Sequence, residues 1–116
     1  MRRDDLHLVL TTALQAFADI AELAWLCDSD PAKQEVAARY AQARFTSSFE
    51  EMLGDAGLDA VVVATPVPTH FELARKALEA GKHVLVEKPP AMKTHEMDEL
   101  VALADERDLV LMPGHL

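Results

Sequence analysis

The chain has 116 residues, 50% of them hydrophobic, with 20 acidic against 11 basic side chains and a formal net charge of −9. That length fits one domain, or part of one, spanning residues 1–116, and a chain this size hides only roughly two-thirds of its unfolded surface. The acidity and the lack of a basic stripe exclude a nucleic-acid partner and read as plain solubility.

Residues 4–19 have two readings. Leu6, Val9, Leu10, Ala13, Leu14 and Phe17 recur at helical spacing behind Asp4-Asp5. Alternatively, Leu6–Leu10 is a strand and Ala13–Ile20 a short helix. Glu22–Cys27 reads as a strand closed by Asp28-Ser29-Asp30-Pro31. Pro31 suits the first turn of a helix capped by Asp30 and running to about Ala41. Ala43–Thr46 is a short strand, and Ser47 or Ser48 caps a helix through Leu53. After a turn at Gly54–Leu58, Ala60–Ala64 is apolar without alternation and predicts a strand buried on both faces. Thr69 or His70 opens a helix that Gly81 ends. Val84–Val86 is a second buried strand. Thr94 caps a helix to about Arg107 with Leu100, Val101 and Ala104 inward. Leu109–Met112 is the last strand, with Pro113-Gly114-His115 opening its loop. Strands alternating with helices predict an α/β fold with a parallel sheet, which binds ligands at the carboxyl ends of its strands.

The only cysteine, Cys27, lies in an apolar run and reads as a buried structural thiol. It excludes a disulfide framework and fits a reducing cytoplasm. No apolar run approaches the ~20 residues of a membrane span, and Met1-Arg2-Arg3 leads into Asp4-Asp5, which excludes a signal peptide. The five histidines lack metal-ligand spacing, so no metal is expected. No nucleophile elbow or Walker loop occurs.

Three strand ends concentrate the chemistry. Asp28 ends an early strand, where a carboxylate accepts hydrogen bonds from ribose hydroxyls and repels a 2′-phosphate; its rival role is to cap the helix at Pro31 together with Asp30. Thr65-Pro66-Val67-Pro68-Thr69-His70 is either a cofactor-lining loop or a stiff connection with a helix cap. In Glu87-Lys88-Pro89-Pro90, a lysine beside a nicotinamide could take a substrate hydroxyl's proton as hydride leaves. The proline after it fixes the lysine's backbone, and a cis bond is one way to do so. The bland alternative is an exposed turn.

The segment Ala60-Val61-Val62-Val63-Ala64-Thr65-Pro66, then Thr69-His70, then Ala77-Leu78-Glu79-Ala80-Gly81-Lys82-His83-Val84-Leu85-Val86-Glu87-Lys88-Pro89, closely resembles the N-terminal domain of the Gfo/Idh/MocA oxidoreductases. The resemblance runs from about Glu22 to His115 and looks most like the nucleotide-sugar 3-dehydrogenase branch. It implies a Rossmann-like doubly wound parallel sheet and oxidation of a sugar, polyol or sugar-nucleotide hydroxyl by NAD or NADP. Asp28 matches the ribose-binding acid and leans the reading toward NAD. Thr65, Pro66 and His70 match the loop lining the cofactor, and Glu87 the residue near the nicotinamide ribose. Lys88 matches the catalytic lysine and Pro89 the proline that holds it.

Two departures stand out. The family opens with a strand and a Gly-x-Gly-x-x-Gly loop, whereas this chain has no glycine before Gly54. Cofactor binding is therefore expected to be weakened or lost. The substrate domain that would follow Leu116 is also missing, so the chain is expected not to be active alone. Three readings result: an oxidoreductase component that works with a separate substrate domain, a noncatalytic interaction module or homo-oligomer with an open sheet edge, or a piece of a longer chain.

Overall fold

The computed structural model describes residues 24–37 and 43–114. The alternatives for residues 4–19, the helix end near Ala41 and His115 lie outside them. The chain divides into two compact units, Met1–Leu58 and Asp59–Leu116.

In the first unit, β1 (Trp25–Cys27) pairs in parallel with β2 (Arg44–Thr46), with Trp25 opposite Arg44 and Cys27 opposite Thr46. The connection begins with two successive side-chain caps. Asp28 Oδ1 accepts from the Asp30 N–H at 2.8 Å, and Asp30 Oδ1 accepts from Ala32 N–H at 3.0 Å. Pro31 then starts a 3-10 turn, Pro31–Lys33, that leads into α1 (Gln34–Ala37). A β-region aspartate followed by proline is pre-set for a helix start, which is why this junction is readable in sequence.

Beyond β2, Ser48 caps α2 (Phe49–Leu53) by accepting from Glu51 N–H at 3.2 Å. The reciprocal half of the capping box is relayed. Ser48 N–H donates to Thr46 Oγ1 at 3.0 Å, and that hydroxyl lies 3.2 Å from Glu51 Oε2. The Trp25 indole N–H donates to Asp55 Oδ2 at 2.8 Å, and the Arg44 guanidinium lies 5.5 Å from the ring centre. Trp25 is thus anchored by a polar and a cation–π contact.

The second unit runs β3 (Ala60–Val63), a 3-10 turn at Val67–Thr69, α3 (His70–Glu79), β4 (His83–Glu87), α4 (Thr94–Glu106) and β5 (Leu111–Gly114). The strands form a parallel sheet in the order β3-β4-β5. Its core joins Val61, Val63, Val84 and Val86 to Ala74, Ala77 and Leu78 of α3 and Leu100 and Ala104 of α4. Two alanines on α3 let the helix approach the sheet closely. Full burial of Leu78 and of Leu100 contributes ~1.5–3 kcal/mol each.

Both long helices end in the same six-to-one, five-to-two pattern. After α3, Gly81 N–H bonds Leu78 O and Lys82 N–H bonds Ala77 O, at 3.0 Å each; after α4, Asp108 N–H bonds Asp105 O at 3.2 Å and Leu109 N–H bonds Ala104 O at 2.8 Å. Each motif needs a left-handed residue, supplied by Gly81 at φ 81° and Asp108 at φ 56°. Arg107 Nη1 also donates to Glu79 O at 3.0 Å, satisfying a carbonyl at the end of α3.

Four details differ from the sequence reading. In β3 only Val61 and Val63 are buried, while Val62 is 41% exposed. The reason is that α3 and α4 cover one sheet face of this unit. Val101 is 43% exposed because it lies 100° around α4 from Leu100. The N-cap of α4 is Lys93, in extended conformation and without a side-chain bond, so Thr94 is already helical. Finally, Pro113 and Gly114 belong to β5 rather than to its loop. The Val110 and Gly114 carbonyls both accept from β4. Pro113, out of phase with them, therefore turns its missing N–H away from the ladder, which an edge strand tolerates.

The two helix ends give opposed expectations. An added Cβ at Gly81 meets nothing within 4 Å. Gly81→Ala therefore costs only the left-handed backbone term, about 1–2 kcal/mol, and Asp108→Gly should relieve a similar strain of about 1 kcal/mol. Urea melts of the two variants should move in opposite directions.

Cys27 is half-buried, and burial, then the charges of Asp28, Glu50 and Glu51, push its thiol up from its ordinary value. A raised value leaves less thiolate at a given pH. Alkylation by iodoacetamide near pH 8 should be on the order of tenfold slower than for a free cysteine and should recover in denaturant.

Candidate functional site

Because β3 and β4 are parallel neighbours, their carboxyl ends lie side by side. The register pairs Val63 with Val86, so Thr65 and Lys88 each stand two residues beyond the last matched pair. Three of the sequence-predicted positions after β3 and three at the end of β4 are brought together in this way: Thr65, Pro66 and His70, with Glu87, Lys88 and Pro89.

The loop after β3 organises itself. The Pro66 carbonyl accepts from both the N–H of Thr69, at 2.9 Å, and its hydroxyl, at 2.6 Å. With that hydroxyl proton committed, the 2.6 Å contact between Thr65 and Thr69 Oγ1 atoms has Thr65 as donor. Thr65 Oγ1 consequently presents its lone pairs outward as an acceptor. Pro66 and Pro68 stiffen the turn and remove two backbone donors that would otherwise need partners.

His70, the first residue of α3, is fully buried. One ring nitrogen lies 2.7 Å from Thr65 O and the other 2.8 Å from Pro89 O. Both ring nitrogens are occupied by carbonyls, one from the loop after β3 and one from the loop after β4, so the ring connects the two loops.

Glu87 ends β4 half-buried, and Lys88 and Pro89 are exposed. Lys88 N–H donates to the Gly114 carbonyl at 2.9 Å, and the Lys88–Pro89 peptide is cis. The lysine side chain is thus presented to solvent from a backbone held on one side by β5 and on the other by His70. In the first unit, Asp28 closes β1. One of its oxygens holds the Asp30 turn, and its N–H donates to Thr46 O at 3.3 Å. The helix cap itself is Asp30, and Asp28 supports it by accepting from the Asp30 N–H.

Sequence reasoning missed the Thr65–Thr69–Pro66 relay and the tie from His70 to Pro89. The Thr-x-x-x-Thr spacing signals the first; the second uses main-chain acceptors that no side-chain pattern reveals. A shallow hollow of about 240 Å³ in the second unit, beside Phe71 and Met92, includes none of these strand-end residues. Among the described residues no group of three histidine, cysteine or acidic side chains could hold a metal. No described helix is long and apolar enough to cross a membrane.

A family model described as an oxidoreductase family with an NAD-binding Rossmann fold matches residues 7–115. UDP-N-acetylglucosamine 3-dehydrogenase of Acidithiobacillus ferrooxidans is 38% identical over 102 residues, covering 88% of this chain and 32% of that protein. The dTDP-3,4-didehydro-2,6-dideoxy-alpha-D-glucose 3-reductase of Saccharopolyspora spinosa is 36% identical over 105 residues, 89% of this chain and 32% of its own length. The crystal structure of the WlbA dehydrogenase of Bordetella pertussis, in complex with NADH and UDP-GlcNAcA, superposes with a TM-score of 0.83 at 34% identity, covering 98% of this chain and 32% of that one. The chain therefore spans about a third of the length of these relatives. Parallel strands whose carboxyl ends gather Thr65-Pro66 and Glu87-Lys88-Pro89, together with a family match across nearly the whole sequence, identify the chain as a member of the Gfo/Idh/MocA oxidoreductases, of which it forms the NAD-binding Rossmann part.

Proposed function

We propose that this chain supplies the cofactor-binding and proton-accepting half of an NAD-dependent dehydrogenase acting on a hydroxyl of a sugar or sugar nucleotide. The observation that carries the reading is the placement of Thr65 and Lys88 at equal heights on adjacent strand ends, with their loops tied together through His70.

The residues present fit part of a dinucleotide. The carboxylate at the end of β1 suits the two hydroxyls of an adenosine ribose and disfavours a 2′-phosphate, which supports NAD over NADP. Thr65 contributes an oriented hydroxyl, and Glu87 a carboxylate at the end of β4. Bound NAD would take up hydride from the carbon that bears the hydroxyl. Lys88, as the uncharged amine, would accept a hydrogen bond from that hydroxyl and take up its proton to become the ammonium. The fixed backbone on both sides of Lys88 contributes orientation, the component of catalysis that rigid positioning supplies. The UDP-sugar named for the Bordetella relative makes a sugar nucleotide the favoured substrate class, with a substrate-covering domain contributed outside this sequence.

A second reading, in which the chain is a noncatalytic module that no longer binds cofactor, rests on the lack of any glycine before Gly54. Charge-assisted hydrogen bonds contribute ~1.5–3 kcal/mol each, so loss of the backbone contacts to a diphosphate weakens binding by several kcal/mol.

Calorimetric titration with NAD separates the two. Measurable binding supports the first reading; none at millimolar NAD supports the second. Asp28→Asn keeps the oxygen that holds Asp30 N–H while removing the charge. It should weaken NAD roughly tenfold or more while narrowing the preference over NADP. In a dehydrogenase reconstituted with a substrate domain, Lys88→Met should lower kcat by about 10²–10⁴ with NAD affinity retained. Unchanged turnover would remove Lys88 from the chemistry.

A further inference from the structure

We infer that His70 is a positioning residue for Lys88, acting as a double hydrogen-bond donor that locks the loop after β3 to the loop after β4. The inference deepens the reading of Lys88 as proton acceptor and rests on it.

The geometry is specific. His70 has no exposed surface. Its ring nitrogens face Thr65 O at 2.7 Å and Pro89 O at 2.8 Å. Carbonyl oxygens only accept, so each bond requires a hydrogen on the ring. A neutral imidazole has one N–H and would direct a lone pair at the other carbonyl at close range. Only a ring with a hydrogen on each nitrogen donates to both partners, and both distances lie within hydrogen-bond range. The ring between the two carbonyls holds the loops together.

The consequence for Lys88 follows from chain connectivity. Its N–H is fixed on Gly114 O at 2.9 Å. The carbonyl of the next residue, Pro89, is fixed on His70. The lysine is bracketed by one bond to β5 and one to α3. The Thr65 carbonyl on the other ring nitrogen sets the height of the neighbouring hydroxyl in the same step. His70 touches neither substrate nor cofactor in this arrangement; it works through Pro89 and Thr65.

The test uses the full chain and needs no cofactor. Ring nitrogen-15 shifts of His70, measured by long-range correlation near neutral pH, should report both nitrogens protonated; one bare nitrogen would overturn the inference. His70→Phe keeps the bulk and removes both donors. Amide exchange at Lys88 should then rise on the order of tenfold while the Leu78 amide in the core of α3 is unchanged. Unchanged exchange at Lys88 would overturn the positioning role. Faster exchange at Leu78 as well would mean that the variant has lost its core, and the ring measurement on the unaltered chain then decides. Neither readout involves NAD, so failure of the clasp and failure of the proposed function are separately visible.

Discussion

In a parallel sheet each strand must be entered from the same edge, so every connection has to travel the length of the sheet and return. The second unit meets this demand with α3 and α4, and the register between β3 and β4 then leaves no freedom over what its carboxyl edge contains. Thr65 and Lys88 are far apart in sequence and become neighbours only because Val63 faces Val86. A slip of one residue would turn the slipped strand's pair, Val61 and Val63 or Val84 and Val86, out of the core, so the packing that stabilises the sheet also fixes which residues meet at its end.

Irregular backbone at that edge must still satisfy its polar groups. Prolines at positions 66, 68, 89 and 90 reduce the number of donors requiring partners. The carbonyls that remain are used with economy: Pro66 O accepts two bonds from Thr69, Gly114 O accepts one from Lys88, and Thr65 O and Pro89 O share one imidazole. Each of these bonds ties a loop residue to a strand end or to the first residue of α3, so the two loops share their backbone partners with the elements that present them.

What could be read in the sequence was local. Asp30-Pro31, Ser48 and Gly81 fix their helix ends through bonds to residues two to four positions away, so they were legible without a fold. Asp108 performs the same task as Gly81 in a left-handed conformation that an aspartate rarely signals. The exposure of Val62 and Val101 depends on which face α3 and α4 cover, a tertiary fact. Pro113 sits within β5 only because that strand pairs on one side in its sheet. At the site, Thr65 and Lys88 stood out as polar residues with proline at the ends of apolar runs. The work of His70 did not, since its partners are main-chain carbonyls brought together by the sheet.

The composition of the chain also divides affinity from placement. A dinucleotide brings two phosphates to a protein of net charge −9, and general electrostatics oppose that approach. Two of the described helix starts do little to offset it: the 3-10 turn before α1 opens with Pro31, which lacks an N–H, and its Ala32 N–H is already bonded to Asp30, while α2 carries Glu50 and Glu51 in its first turn. Asp28, at the end of β1, is itself one of those negative charges. On electrostatic grounds the described acidic side chains therefore oppose a diphosphate, so any affinity has to come from directed hydrogen bonds rather than from net charge.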